Sequence, residues 1–303
     1  MCSSDLLFLF LTSMYRIALP NKGRLADDAR ELFADAGLDV RVRGDRALSA
    51  SLGEAFEAIF VRAEDIPEFV ADGAADIGVT GWDLVAESNR NVESVLDLEF
   101  GRCRLAMAVA EECPVQCVRD VASGARVATA FPRLTSRFFG DAGVAVDIVP
   151  VSGAAEIAPH LGIADIIVDL VSTGSTLRVN GLREVATVCE SSARLIAARA
   201  PRPAPSLEDR DAVVQGLVAA LESVIRAKGQ RYLMANVPRA KLGQVRQVLP
   251  GLNGPTVVDI LNGGDHVAVH AVVRAADVYR TIGDLRSLGA SGILVTRIER
   301  LVP

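Results

Sequence analysis

The sequence predicts an α/β fold with two interleaved lobes and a smaller third domain. From Tyr15 onward, apolar runs of strand length alternate with amphipathic helical stretches and glycine turns, which is typical of parallel α/β architecture. A proline-rich stretch, residues 201–206, then precedes a final segment in the order βαββαβ. That order predicts a ferredoxin-like third domain.

Composition excludes several classes of protein. The chain has 303 residues, of which 50% are hydrophobic and 23% charged, the mix of a folded globular protein. Its length favours two domains and allows three. The net charge of −6 argues against a broad cationic surface, so we expect no nucleic-acid partner. No apolar run approaches the roughly 18 residues of a membrane helix, so we expect no membrane partner.

The first thirteen residues differ in character from the rest. The chain opens with MCSSDLLFLFLTS and restarts at Met14 with MYRIALPNKGRL. The apolar stretch Leu6–Leu11 is short for an export signal and has no basic segment before it. We interpret residues 1–13 as a non-native leader and Met14 as the start.

The five cysteines lack paired zinc spacing. Cys113 and Cys117 would suit metal ligands if they shared a helix face, but reduced thiols in a cytoplasmic protein are the favoured interpretation.

The first lobe is expected from residues 14–100 and 178–205. Apolar residues recur at helical spacing from Leu25 to Ala36, and Gly37 suits the helix end. The other expected elements are the strands Tyr15–Pro20, Ala58–Val61, Ile77–Thr80 and Arg194–Ala198 and the short helix Ile66–Ala71.

The second lobe is expected from residues 101–177, with a cleft between the lobes. Its predicted elements are the strands Arg104–Val109, Arg126–Thr129, Val146–Val151 and Ile166–Leu170 and the helix Ser136–Ala142.

The third domain is expected from residues 208–303. A long amphipathic helix, Asp211–Ala227, opens it. The βαββαβ elements that follow are Tyr232–Val237, Lys241–Leu249, Thr256–Leu261, Val267–Val273, Val278–Leu288 and Gly292–Ile298.

The strongest chemical signal is the segment from Asp165 to Leu177. A buried strand ends near Asp169, and a loop of small and hydroxyl residues follows, Ser172-Thr173-Gly174-Ser175-Thr176. Converging backbone N–H groups and hydroxyls in such a loop suit a phosphate monoester, and Asp169 suits sugar hydroxyls. The loop does not fit the P-loop pattern. The alternative is a plain turn whose hydroxyls cap a helix.

The wider pattern resembles the ATP phosphoribosyltransferase family. The spacing of Glu156, Gly162, Asp169, Gly174 and Thr176 fits that family's signature. The segments ALPNKGRL, DIGVTGWDLV, GRCRLAMAV and RVATAFPRLTSRFF stand at matching places, and RYLMANVP, LPGLNGPT and LGASGILV resemble its C-terminal regulatory domain. The resemblance runs from Met14 to Pro303 and indicates the family's long form.

The resemblance implies a reaction between ATP and 5-phosphoribosyl 1-pyrophosphate, with Mg²⁺ as the cofactor. Adenine N1 would attack C1 of the ribose and release pyrophosphate. The implied catalytic residues are Asp169, Glu156, Lys22 and Arg24. Asp165, Asp169 and Ser172 to Thr176 are implied for phosphoribosyl pyrophosphate. The metal ligand stays open: substrate phosphates would hold Mg²⁺, with Asp169 or Glu156 as its protein ligand.

ATP-binding candidates come from two places in the catalytic lobes. They are Asp76, Thr80 and Gly81 at the edge of the first lobe, and Thr135 and Arg137 at a helix start. The alternative for Asp76 is a local chain cap. Trp82 suits either adenine stacking or a half-buried core position, and Arg104 either an anion site or a surface ion pair.

For the third domain, the resemblance implies feedback inhibition by histidine bound between neighbouring subunits, in dimers that assemble into hexamers. The candidate contacts are Asn236, Leu252, Thr256, Val272 and Gly292. An oligomerisation domain alone is the alternative. For the whole chain, the alternatives are a non-catalytic two-lobed binding protein, because the two lobes are periplasmic-binding-protein-like, and a weakly catalytic regulatory paralogue.

Overall fold

The computed structural model describes residues 15–41, 48–53, 55–199, 207–261 and 264–302. The leader 1–13, Met14 and the linker 201–206 lie outside these residues. The chain divides into two compact units, Met1–Ala212 and Val213–Pro303. The predicted α/β class is confirmed in both.

Among its described residues, the first unit holds twelve strands and five α-helices, and a sixth α-helix leads into the second unit. The strands are β1 Tyr15–Pro20, β2 Val40–Arg41, β3 Ser49–Leu52, β4 Phe56–Val61, β5 Ile77–Gly81, β6 Val92–Asp97, β7 Cys103–Ala110, β8 Ala125–Thr129, β9 Val146–Pro150, β10 Ile166–Val171, β11 Leu182–Ser191 and β12 Ala193–Ala198. The helices are α1 Arg24–Asp35, α2 Ile66–Ala71, α3 Trp82–Ser88, α4 Pro132–Asp141, α5 Ser175–Val179 and α6 Leu207–Ala227.

The first lobe is built on a seven-stranded sheet in the order β2-β3-β4-β1-β5-β12-β6. Strand β1 runs parallel to β4 and β5, whereas β12 returns antiparallel between β5 and β6. Helix α1 buries Ala26, Ala29, Leu32 and Phe33, so its predicted apolar face is confirmed.

The second lobe is built on a five-stranded sheet in the order β11-β7-β10-β8-β9. Strand β11 pairs with β7 over its length, so this lobe extends to Ser191 and the expected boundary at residue 177 moves accordingly. Only β12 of the late strands returns to the first sheet.

The central strand β10 separates two different cores. One face packs large side chains, including Leu105, Met107, Phe139 and Val168. The other face is dominated by alanines, at positions 106, 108, 128, 155, 158 and 164. Because alanine side chains are short, the second face leaves room for the polar group that β10 carries there.

The second unit confirms the ferredoxin-like arrangement. Its elements are β13 Gln230–Pro238, α7 Leu242–Val248, β14 Thr256–Asp259, β15 His266–Arg274, α8 Val278–Ser287 and β16 Ser291–Arg297. The sheet order is β14-β15-β13-β16, with antiparallel pairs throughout. Leu233, Ala235 and Val237 of β13 are buried in a core with residues of α7 and α8.

Some elements were not anticipated: β2, β3, α3, β6 and β11. Helix α4 also begins at Pro132, four residues before the predicted start, because proline suits the first turn of a helix. None of the helices in the described part of the chain is both long and apolar enough to cross a membrane.

Candidate active site

A cavity lies at the carboxyl end of β10. Its volume is about 280 Å³, and it is lined by Glu156 and by residues 169–177. Strand β10 ends at Val171 and helix α5 begins at Ser175, so the lining loop is short. Gly174 has φ of +73°, a left-handed conformation that glycine adopts without strain. The structure therefore brings Glu156, Asp169 and Ser172 to Thr176 together.

The loop presents hydrogen-bond donors to this cavity. Ser172, Thr173, Ser175 and Thr176 are exposed. The hydroxyls of Thr173 and Ser175 lie 2.9 Å apart and bond to each other. The first N–H groups of α5 have no acceptor within the helix. Backbone and hydroxyl donors gathered at one short turn favour an anion with several oxygen acceptors, such as a phosphate monoester.

The far end of α5 is held by side chains. The amide of Asn180 donates to the Thr176 carbonyl at 2.9 Å. The His160 Nε2 atom lies 2.9 Å from the Asn180 carbonyl. These contacts tie the loop and α5 to the segment that carries Glu156.

Asp169 is the carboxylate beside the loop. It lies on the alanine face of β10, directly opposite Ala106 of β7. Burial raises the pKa of Asp169, and the charge of Glu156 raises it further, while the N–H of Leu170, 2.7 Å from Oδ1, opposes this shift. Two neighbouring carboxylates of this kind suit sugar hydroxyls or the water shell of a divalent cation.

Asp165 does not belong to this cavity. It precedes β10, whereas the loop follows it, and a six-residue strand separates the two by roughly 20 Å. The Arg126 guanidinium donates to Asp165 at 2.9 Å and the Arg126 backbone N–H donates at 2.9 Å. These bonds lower the pKa of Asp165. Its role is to join β10 to β8.

Three ATP-binding candidates of the first lobe have structural partners. The Asp76 carboxylate accepts a 2.8 Å bond from the Arg16 N–H at the amino end of β5, which matches the chain-cap alternative. Thr80 is fully buried and donates to the Ala63 carbonyl at 2.7 Å. Gly81 is buried, and a Cβ there would clash with the Asp83 carboxylate. None of the three lines the loop cavity.

The start of α4 is not a vacant anion site. The carboxylate of Glu87, from α3, accepts bonds of 2.9 Å from the N–H groups of Arg133 and Leu134. Thr135 is fully buried against the Thr129 hydroxyl. Arg137 is exposed and remains the one candidate of this pair within reach of a ligand. A sequence signal for Glu87 was absent because it lies 46 residues before Arg133.

Lys22 and Arg24 lie at the carboxyl end of β1 and are exposed. Gly23 between them has φ of +80°. The Arg24 Nε lies 3.9 Å from the Asp28 carboxylate, a long contact at the surface. The loop cavity does not include either residue, although both follow the end of a central strand, where α/β sheets bind ligands.

Sequence reasoning missed a buried polar cluster where the chain crosses between the lobes. Burial raises the pKa of Asp83, which hydrogen-bonds Ser191. Burial also raises the pKa of Cys103 to about 11, and the charge of Asp83 adds to this.

Trp82 is partly exposed, with the Arg194 guanidinium 5.9 Å from its ring centre. Arg104, for its part, forms an ion pair with Glu184.

The carboxylates at the loop fit a cation whose other ligands come from substrate. Among the described residues, no group of three or more histidine, cysteine or acidic side chains is placed to hold a metal ion. Cys113 and Cys117 are free thiols. Mg²⁺ keeps several waters and takes one or two carboxylates plus phosphate oxygens, and Asp169 and Glu156 are the two carboxylates that line the cavity.

In the second unit, most of the residues predicted to contact a histidine ligand lie on the sheet face opposite α7 and α8. Asn236 of β13 and Val272 of β15 alternate with the buried core positions of their strands. Thr256 of β14 pairs with His270, which alternates with the core positions of β15 in the same way. A Cβ on Gly292, whose φ is +56°, would lie 3.0 Å from the Asn236 amide. Leu252 is 60% exposed before β14. The Tyr232 hydroxyl bonds His270 at 2.7 Å on the same face.

Fold and cavity together define a two-lobed α/β protein with a cavity lined by a hydroxyl-rich loop and a separate ferredoxin-like domain. The family model described as ATP phosphoribosyltransferase matches residues 62–223, and that described as HisG, C-terminal domain, matches residues 227–300. The chain belongs to the ATP phosphoribosyltransferase family. The expected family and enzyme class are confirmed.

Named relatives extend over nearly the whole chain. The ATP phosphoribosyltransferase of Gemmatimonas aurantiaca is 67% identical over 293 residues, 96% of this chain and 100% of the relative. That of Natronomonas pharaonis is 50% identical over 95% of this chain and 100% of the relative. A solved ATP phosphoribosyl transferase (HisG:HisZ) complex from Thermotoga maritima aligns with a TM-score of 0.60 at 26% identity, over 70% of this chain and 99% of that chain.

Proposed function

We propose that this chain condenses ATP with 5-phosphoribosyl 1-pyrophosphate as the first step of histidine biosynthesis. Adenine N1 attacks C1 of the ribose with inversion, and pyrophosphate leaves. The observation that carries the proposal is the cavity in which the loop Ser172–Thr176 adjoins Asp169 and Glu156. Membership of the family supports the reaction.

The loop binds the 5-phosphate of the ribose. Its backbone N–H groups and the hydroxyls of Ser172, Thr173, Ser175 and Thr176 donate to the phosphate oxygens. Gly174 lets the chain turn close to the ligand, because its positive φ would strain a residue with a side chain. Asp169 accepts hydrogen bonds from the ribose hydroxyls, with Glu156 beside it.

The chain acts mainly by holding its two anionic substrates, ATP and phosphoribosyl pyrophosphate, in the orientation that the reaction needs. A displacement at C1 needs no covalent intermediate with the protein, so positioning and charge stabilisation supply the rate. Lys22 and Arg24 are exposed cations at the end of β1, and they stabilise the departing pyrophosphate. For ATP, the exposed Arg137 remains in the proposal, whereas Asp76, Thr80, Gly81 and Thr135 are dropped.

Mg²⁺ completes the proposal. When bound, the ion neutralises charge on the pyrophosphate. Asp169 and Glu156 are the residues of this chain that would hold it, directly or through its water shell.

We also propose how the enzyme is regulated, how it assembles and where it works. Histidine inhibits the enzyme at the sheet face of the second unit that lies opposite α7 and α8, through Asn236, Leu252, Thr256, Val272 and Gly292. The chain assembles as dimers and hexamers, and it works in the cytoplasm. The solved complex from Thermotoga maritima supports assembly of this fold with other chains.

The reaction is tested with purified full-length chain, ATP, phosphoribosyl pyrophosphate and Mg²⁺. Pyrophosphatase removes the product, and the absorbance of the N1-substituted adenine is followed. We expect turnover that requires both substrates and falls when millimolar histidine is added. Absence of an adduct from a folded chain contradicts the reaction and favours the non-catalytic binding protein. Turnover that histidine leaves unchanged contradicts the regulatory part alone.

A further inference from the structure

Arg104 of β7 contacts the loop from outside the loop cavity. Its Nε and Nη2 atoms donate to the two carboxylate oxygens of Glu184 at 2.7 and 2.6 Å. Its Nη1 atom donates to the Ser172 carbonyl at 3.3 Å. One side chain therefore links strand β11 to the first residue of the loop.

The Arg104 side chain extends along the alanine face of the sheet. Arg104 lies opposite Val171 of β10, and Glu184 lies opposite Ala108 of β7. Between these two positions the same face carries Ala106. Because Ala106 and Ala108 have short side chains, the guanidinium can extend along the strand and meet Glu184 side on. Both charges are then satisfied: Arg104 lowers the pKa of Glu184, and Glu184 raises that of Arg104.

Two cavities meet at the residue that Arg104 holds. Arg104 lines a neighbouring cavity of about 320 Å³ together with Arg102, Ser192 and Arg194. Within the described part of the chain, Ser172 alone lines both this cavity and that of the loop. Arg104 and the proposed phosphate therefore lie on different sides of Ser172.

Because the peptide bond is planar, this contact also fixes the direction of the next backbone N–H. In a trans peptide, the carbonyl of one residue and the N–H of the next point in opposite directions. Holding the Ser172 carbonyl toward Arg104 thus directs the Thr173 N–H away from Arg104. Arg178 holds the next carbonyl in the same way, since its Nη1 donates to the Thr173 carbonyl at 3.5 Å.

We propose that Arg104, held by Glu184, is a positioning residue that presents the Thr173 N–H to the sugar phosphate in the loop. Arg104 touches no reacting atom. Its effect falls on the substrate that carries the 5-phosphate and spares ATP. The inference rests on the proposed function in taking a sugar phosphate as the ligand of the loop.

The test compares Arg104→Lys with the wild type in the full-length chain. Lysine keeps the charge but cannot bind Glu184 through two nitrogens and reach Ser172 as well. We expect the Kd for ribose 5-phosphate, measured by calorimetry, and the KM for phosphoribosyl pyrophosphate to rise by about tenfold. The KM for ATP should stay within about twofold of the wild type. Glu184→Gln, which keeps Arg104 but weakens its anchor, should raise the same two constants less.

Arg126→Lys is the matched control. Arg126 also pairs with a carboxylate through two nitrogens and donates to a carbonyl, that of Gly162, but at the opposite end of β10. The Arg126→Lys variant should have the wild-type KM for phosphoribosyl pyrophosphate and for ATP. Unaltered binding of ribose 5-phosphate in Arg104→Lys overturns the inference, as does an equal rise in both KM values.

Should Arg104→Lys fail to fold, unchanged constants in Glu184→Gln also overturn it. Failure of the proposed function is separable: if the wild type binds ribose 5-phosphate more tightly than Arg104→Lys does but never turns over, the reaction alone is refuted.

Discussion

Asp83 and Ser191 form a buried reciprocal pair. The Asp83 N–H donates to the Ser191 hydroxyl at 3.0 Å, and that hydroxyl donates to the Asp83 carboxylate. Asp83 belongs to α3, which follows the first sheet, whereas Ser191 ends β11 of the second sheet. Leu84 and Ala86 of α3 also pack on the core of the second lobe. Helix α3 therefore joins the two lobes where the chain crosses between them.

The first prediction concerns Asp83→Asn. Burial raises the pKa of Asp83 above its ordinary value of about 3.8, so the folded chain keeps this proton at a pH where the unfolded chain has lost it. The contribution of Asp83 to the free energy of unfolding therefore falls as pH rises from 3.8 through the raised pKa. Asparagine accepts the Ser191 bond without a charge. Thermal unfolding should show a Tm at pH 7 equal to or above that of the wild type.

The comparison variant for this prediction is Asp83→Ala, which loses the acceptor and should lower the Tm. If Asp83→Asn and Asp83→Ala are equally destabilised at pH 7, the desolvation argument fails.

The second prediction concerns Glu87→Ala. The carboxylate of Glu87 accepts the N–H groups of Arg133 and Leu134 at the start of α4, so its loss leaves two donors unpaired. Unfolding in urea should show a loss of about 0.5–2 kcal/mol, the usual effect of removing a helix cap. Glu68→Ala breaks an exposed ion pair with Arg90 and should cost less than about 1 kcal/mol. Equal effects of the two variants would contradict a capping role.

The third prediction concerns Thr176→Ala. Thr176 is exposed and lines the loop cavity, so its hydroxyl is lost as a donor to the 5-phosphate. The kcat/KM for phosphoribosyl pyrophosphate should fall by an amount equivalent to about 1–3 kcal/mol. Thr296→Ala, which alters an exposed threonine of β16 in the second unit, is the control. A kcat/KM equal to the wild type in Thr176→Ala would place this hydroxyl outside the site.

The fourth prediction is a pH profile. Asp169 must be ionised to bind ribose hydroxyls or a hydrated cation, and its pKa is raised by burial and by Glu156. The acidic limb of kcat/KM should therefore lie at a higher pH than an ordinary aspartate gives. Glu156→Gln removes the neighbouring negative charge, so the limb should move to lower pH. A shift to higher pH, or none, would contradict the coupling between these carboxylates.

The architecture was largely predictable from the chain. Apolar runs such as Tyr15–Pro20 are contiguous in the sequence, and the structure places that strand at the predicted bounds. The hydroxyl loop was predictable for the same local reason, since its residues are contiguous. Strand β11 escaped prediction because its burial follows a broken alternation with register shifts, and it moves the lobe boundary from residue 177 to Ser191.

The functional side chains away from the loop were less predictable, because their roles depend on long-range partners. Asp165 reads as part of the loop motif, yet Arg126, 39 residues away, holds it at the other end of β10. Thr135 resembles an anion ligand in sequence, but its position in α4 buries it. The contacts of Glu87 and Arg104 join residues more than 40 positions apart. Spacing along the chain carries no signal for such pairs.

The loop Ser172–Thr176 is the site that we propose for the 5-phosphate. A crystal structure of the full-length chain with phosphoribosyl pyrophosphate and Mg²⁺ tests this most directly. The 5-phosphate should lie within hydrogen-bond distance of the loop N–H groups, including that of Thr173, with the ribose hydroxyls at Asp169. A 5-phosphate bound at Lys22 and Arg24, with the loop empty, would contradict the account.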